Sequence, residues 1–210
     1  MPLILEKKED KYSFIVWEID EDLSFFLDKF DICDFEKQEI SNFPEYRLLE
    51  WWSTRYLLFL LEKREKRLCV LKDEFGKPYL QNSNMNISLS HSGKNIAAVI
   101  SNQNIGIDIQ NISPKVNLIK NKFLSEKELH FGMELTILNL MWTLKEAVYK
   151  AYGRKKISLK DNIIIKDLKK YHHIIKSNVF IEKNNAKIKY KVVSYNVKNA
   201  ILSIAVENAK

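Results

Sequence analysis

Hydrophobic residues recur along this chain with two different periods, and the changes between them mark its elements. Alternation and short runs of β-branched residues predict strands over "KYSFIVWEI" (11–19), "NISLS" (86–90), "NIAAVIS" (95–101) and "NIGIDIQNI" (104–112). The tight turn "HSGK" joins the second to the third, and "RLCVL" (67–71) reads as a strand before the turn "DEFGKP" (73–78). The C-terminal stretch alternates as β through "IIIKDL", "YHHIIK", "VFIEK", "AKIKYKVVSYN" and "AILSIAV". Two segments follow the helical period instead. "EYRLLEWWSTRYLLFLLEK" (45–63) is apolar in nearly every direction, as expected of a helix buried on most sides, and Pro44 suits its opening turn. Arg47, Trp51, Thr54 and Arg55 make its one narrow polar strip. The second helix ends near Tyr152, where Gly153 breaks it. Leu140, Leu144, Ala147, Val148 and Ala151 form its apolar stripe, and Trp142, Lys145, Glu146, Tyr149, Lys150 and Gly153 share the other side. Upstream, "SEKE" (125–128) is a capping-box pattern in which Glu128 can reach back to Ser125. A short helix is expected from Asp20.

Helix and strand thus occur in both halves, with no low-complexity linker and no repeat visible in the sequence. The expected fold class is α+β, with an N-terminal subdomain over 1–103 and a C-terminal subdomain over 104–210. A hydrophobic content of 46% in 210 residues supports a sizeable core and excludes wholesale disorder. No run approaches the ~18 apolar residues needed to cross a bilayer. "MPLILEKKEDKY" is too short in apolar residues for a signal peptide, so a soluble cytoplasmic protein without a membrane partner is expected. Cys33 and Cys69 lack a CxxC pattern and nearby histidines, which reads as buried, reduced thiols. The net charge of +7 points to an acidic partner or ligand. The lysines are scattered rather than clustered, which argues against a nucleic-acid-binding module.

Candidate chemistry changes the picture at four places. Strand alternation puts Ile105, Ile107 and Ile109 on one face and Gly106, Asp108 and Gln110 on the other. An acid in the middle of an apolar strand must pair, bind a cation or reach solvent, and the strand pattern leaves these open. Asp108 with the helix residue Glu146 would suit Mg²⁺, which takes one or two protein carboxylates beside phosphate oxygens and water. The turn "SHSGK" gathers Ser90, His91 and a lysine around a glycine, a combination that can bind phosphate, although a lone histidine in a hairpin is more often a plain turn residue. Arg47 and Arg55, on a mostly buried helix, need carboxylate or phosphate partners, and Glu50 is near enough in sequence to be one.

In chain order, "EFGKPYL" (74–80), "NISLSHSG" (86–93), "IGIDIQ" (105–110), "FLSEKEL" (123–129) and "WTLKEAVYKAYG" (142–153) resemble the Sfp-type 4′-phosphopantetheinyl transferases. The resemblance covers about residues 45–160 and rests chiefly on the G-[IV]-D-[IV] and W-x-x-K-E-x-x-x-K pair. It implies two similar α+β halves related by a pseudo-twofold axis, acting as a monomer, with coenzyme A between them. It implies transfer of the 4′-phosphopantetheine arm of coenzyme A to a serine of an apo acyl or peptidyl carrier protein, releasing 3′,5′-ADP. Carried over, Asp108 and Glu146 would hold Mg²⁺, or Mn²⁺ in its place, and Glu146 would accept the serine proton. Lys150 would stabilise charge on the phosphate oxygens, with Lys145 assisting; Arg47, Arg55, Lys77, Ser90 and His91 would contact coenzyme A. The family usually has a second acid two residues after the strand aspartate, and here that position is Gln110, a neutral ligand for the metal or its water. The alternative is a homologue that binds coenzyme A or a carrier protein without transferring anything.

Overall fold

A computed structural model describes residues 3–154 and 156–208. The chain divides into two compact units, Met1–Gln103 and Asn104–Lys210. Both are α+β, as the two periodicities predict: each sets helices against an antiparallel sheet. Among the described residues no helix is long and apolar enough to cross a membrane.

In the first unit, strands β1 (Leu3–Lys8) and β2 (Tyr12–Glu18) precede helices α1 (Leu23–Leu27), α2 (Asp34–Ile40) and α3 (Glu45–Glu62). Strands β3 (Val70–Lys72), β4 (Pro78–Leu80), β5 (Asn86–Ser92) and β6 (Asn95–Ser101) follow, and the sheet order is β1-β2-β6-β5-β4-β3. Pro44 sits at the N-cap of α3, and Trp51, Trp52, Leu57, Leu58 and Leu61 bury its inner side against β2, β5 and β6. Strand β3 begins later than the pattern "RLCVL" suggests, because residues 67–69 are committed elsewhere. Arg67 pairs with the buried Glu36, Leu68 N–H donates to Glu62 (3.0 Å), and Cys69 is bonded to Cys33. That disulfide overturns the expectation of two reduced thiols. The cysteines lie 36 residues apart in sequence, and they meet because α2 lies beside β3.

In the second unit, β7 (Ile105–Asn111) leads to α4 (Val116–Phe123), a 3₁₀ helix (Glu126–Phe131) and α5 (Leu135–Tyr152). Strands β8 (Ile163–Ile165), β9 (Lys169–Tyr171), β10 (Ile174–Lys183), β11 (Ala186–Val197) and β12 (Ala200–Glu207) complete it. The order is β7-β12-β11-β10-β8, with β9 paired to β10. Leu138, Met141, Leu144, Ala147, Val148 and Ala151 of α5 are fully buried with Val179, Tyr190 and Ala205 from the sheet. Full burial of one leucine side chain is worth ~1.5–3 kcal/mol, so this stripe fixes α5 on the sheet. Gly153 ends the helix in the left-handed region (φ 66°), where a side chain would be strained.

The two units share one construction device. Glu36 and Glu128 are buried acids at the third position of a short helix, and each carboxylate accepts from the residue that caps it, Cys33 N–H or Ser125 N–H. The other oxygen accepts from a strand, Val70 N–H in the first unit and Ile165 N–H in the second. A cation neutralises each: Arg67 for Glu36, Lys145 for Glu128. The "SEKE" capping box is therefore present, but it opens the 3₁₀ turn rather than α5.

Candidate active site

The chemistry of the second unit begins with a glycine. A Cβ on Gly106 would lie 2.1 Å from the Ala147 carbonyl oxygen and 2.4 Å from Ala151 N. Only glycine lets α5 lie this close to β7. Asp108, two residues along the same strand face, is thereby brought under the helix turn that carries Glu146 and Lys150. Lys150 Nζ donates to Asp108 Oδ1 at 2.8 Å, and Asp108 is only 7% exposed. Burial raises the Glu146 carboxyl from its ordinary range to about 7; the negative charge of Asp108 adds to the rise and Lys150 opposes it. Two carboxylates with one ammonium, partly desolvated, make a centre with unmet negative charge. A divalent cation would relieve it, so the residues present fit such an ion. Gln110, half-buried, is next on that strand face. Among the described residues no trio of Asp, Glu, His or Cys ligand atoms gathers here.

Lys145 is not part of this centre, which corrects the expectation that it assists there. It is fully buried and donates to Phe123 O (2.7 Å), Glu128 Oε2 (2.8 Å) and Leu159 O (2.9 Å), spending all three protons. The helical wheel assigns it to the outer side, but its long stem turns inward to the Glu128 charge. Trp142 and Tyr149 pack on the same core, Trp142 edge-on to Phe123 at 5.0 Å between ring centres.

In the first unit a second polar site of about 230 Å³ gathers Arg47, Arg55 and His91 with Glu39, Glu50 and Lys72. Arg55 is buried, lies over the Trp51 ring at 4.7 Å and faces Glu39 at 3.8 Å and Glu36 at 3.9 Å. Burial lowers its guanidinium to about 10, still protonated at neutral pH. His91 Nδ1 lies 3.4 Å from Glu50 Oε1, and Arg47 lies over the Phe43 ring at 5.1 Å. The structure does not bring every expected residue here. Ser90 is buried and, by strand alternation, lies on the opposite face of β5 from the exposed His91. Lys77 belongs to the 73–77 turn, where its N–H donates to Asp73 Oδ1 at 2.8 Å, and it does not line the site. Glu39 and Lys72, which do line it, carried no sequence signal: one lies on the unpredicted α2 and the other ends a short strand.

Comparison with known proteins finds a match in the second unit. Residues 104–205 match the 4′-phosphopantetheinyl transferase superfamily. The matched segment lies within the C-terminal unit, which is similar to that superfamily. Part of the chain is also 29% identical, over 106 residues, to the 4′-phosphopantetheinyl transferase gsp of Aneurinibacillus migulanus. That match takes in 48% of this chain and 44% of the relative. The segment similar to that superfamily is thus the one that holds Asp108, Glu146 and Lys150, while the Arg47–Arg55–His91 site lies outside it.

Proposed function

We propose that the protein transfers the 4′-phosphopantetheine group of coenzyme A to a serine hydroxyl of an apo carrier protein, with Mg²⁺ or Mn²⁺, releasing 3′,5′-ADP. The observation that carries this reading is the Asp108–Lys150 pair with Glu146 beside it, raised to about 7. A carboxyl in that range is poised to take a proton at neutral pH. Asp108 and Glu146, with the amide of Gln110, would hold the metal. When bound, the metal neutralises charge on the pyrophosphate and leaves fewer negative charges facing the attacking hydroxyl.

The chain's own residues then divide the work. Glu146 accepts the serine proton as the serine oxygen bonds to the pantetheine-bearing phosphorus. The bond from that phosphorus to the nucleotide's phosphate oxygen breaks, and 3′,5′-ADP leaves with the electron pair. Lys150 offers positive charge to the phosphate oxygens, and Asp108 keeps its ammonium in place. In the first unit Arg47, Arg55, Lys72 and His91 offer donors to a phosphate group, with Glu39 and Glu50 as the internal anions that it would displace.

The test is direct. The purified protein is incubated with coenzyme A, Mg²⁺ and an apo acyl carrier protein, and the carrier's intact mass is read. A gain of one phosphopantetheine group, lost with EDTA and in Glu146→Ala, is the expected result. Gln110, which leaves the donor set with two acids, favours a second reading: a coenzyme A-binding homologue without transfer. Measurable coenzyme A binding with no mass gain on several unrelated carriers would select it.

A further inference from the structure

The Cys33–Cys69 disulfide has no part in the proposed chemistry, yet it joins two segments that bear on the phosphate site. Cys33 caps α2, and Cys69 immediately precedes β3. The same two segments are tied a second time by Glu36, which accepts from Cys33 N–H (3.3 Å) and Val70 N–H (3.2 Å) and pairs with Arg67. One turn further along α2, Glu39 enters the Arg47–Arg55–His91 site. There it accepts from Trp51 Nε1 (3.0 Å), faces Arg55 at 3.8 Å and pairs with Lys72. Glu39 is thus an anion supplied by the protein to the cations of that site, and α2 is what holds it there.

Both cysteines are half-buried. Cys33 borders a groove of about 650 Å³ whose apolar side is Phe30, Ile32 and Phe59. Arg67 borders it as well, nearly fully buried, and its Nε has no hydrogen-bond partner among the described residues. This groove is the side from which a small thiol would approach Cys33.

We propose that Cys33–Cys69 is a reducible latch: its opening by a small thiol leaves the Glu36 ties to hold α2 to β3, loosens the helix, withdraws Glu39 from the phosphate site and raises that site's affinity for phosphorylated ligands. The exchange is balanced as two thiols giving up two electrons and two protons to the disulfide, leaving Cys33–SH, Cys69–SH and the thiol's own disulfide. The direction follows from charge. With Glu39 in place, the cations of the site are already partly neutralised, and an incoming phosphate must displace a carboxylate. With α2 loosened, the same cations are left for the ligand. The affinity half of the inference rests on the phosphate reading of the site given above, whereas the latch itself does not.

Three measurements on the full chain separate these. Free thiols are counted on unfolded protein before and after dithiothreitol, and amide hydrogen exchange of residues 34–40 is followed in both states. None before and two after, with exchange in α2 about tenfold faster or more on reduction, is the expected result. In parallel, 3′,5′-ADP binding is titrated calorimetrically. Reduction should tighten it about fivefold or more. Cys33→Ser, which keeps a good helix cap, should bind tightly with or without reductant, and Glu39→Gln should bind tightly even when oxidised. Two free thiols after mild oxidation, or unchanged exchange in α2, would overturn the latch. A responsive α2 with 3′,5′-ADP bound equally in both states would overturn the coupling. If α2 responds and 3′,5′-ADP binds in neither state, the phosphate reading fails and the coupling with it, while the latch stands.

Discussion

Glu146 shows at the scale of one residue how the proposed activity and stability conflict. Its carboxyl ionises near 4.5 in an unfolded chain and at about 7 in the folded one, chiefly through burial and secondarily through Asp108. Between those values the folded protein holds the extra proton. Stability from this group is therefore present below pH 4.5, falls as pH rises through the window and stays lost above 7. At ~1.4 kcal/mol per pKa unit, the loss is roughly 2–3 kcal/mol for a group that keeps some solvent contact. Glu146→Gln removes the charge and keeps the shape. The metal-free variant should melt about 5 °C above the parent at pH 8 and no higher at pH 4.5, while losing transfer activity. Equal melting at pH 8 would mean that Glu146 is solvated and not poised.

At the scale of elements, the packing of α5 on β7 creates the site, and Gly106 permits it. Gly106→Ala places a methyl group against the Ala147 carbonyl and the Ala151 amide, so the helix must rise or the strand must shift. Such overpacking costs ~1–3 kcal/mol, and the Lys150–Asp108 bond of 2.8 Å is lost first because it spans the displaced surfaces. The expected outcome is a folded protein with a lowered melting temperature and transfer reduced about 100-fold or more, since a 1 Å misplacement can cost that much. Near-normal transfer would show that the close approach is incidental. The elements that build this contact were legible in the sequence. Period two exposed the strand face of Gly106, Asp108 and Gln110, and the helical period put Glu146 and Lys150 one turn apart. What was not legible depended on contacts distant in sequence. Lys145 turns inward to Glu128, which lies 17 residues earlier, and a wheel cannot see that charge. The segment α2 escaped notice because its cap is a cysteine rather than serine, threonine or aspartate. The disulfide escaped because only the tertiary path brings Cys33 to Cys69.

At the scale of the whole chain, the net charge of +7 finds a use if the partner is acidic. Charge complementarity speeds encounter and selects partners more than it adds affinity, so apolar contact must supply the hold. Helix α4 offers both. Leu118, at 84%, is the most exposed large apolar side chain among the described residues, and Lys115, Lys120 and Lys122 flank it. A carrier protein with an acidic, partly apolar helix would suit this surface. Leu118→Glu adds a like charge and removes the apolar contact. It should raise KM for the apo carrier about tenfold or more and leave coenzyme A binding unchanged. Salt should weaken the parent's kcat/KM for the carrier progressively, because exposed charges are screened within ~8 Å at 0.15 M. If Leu118→Glu leaves the carrier's KM alone, and salt leaves kcat/KM alone, the basic surface of α4 has no part in partner choice. A loss of coenzyme A binding together with carrier binding would show instead that the substitution disturbs α5, against which α4 packs.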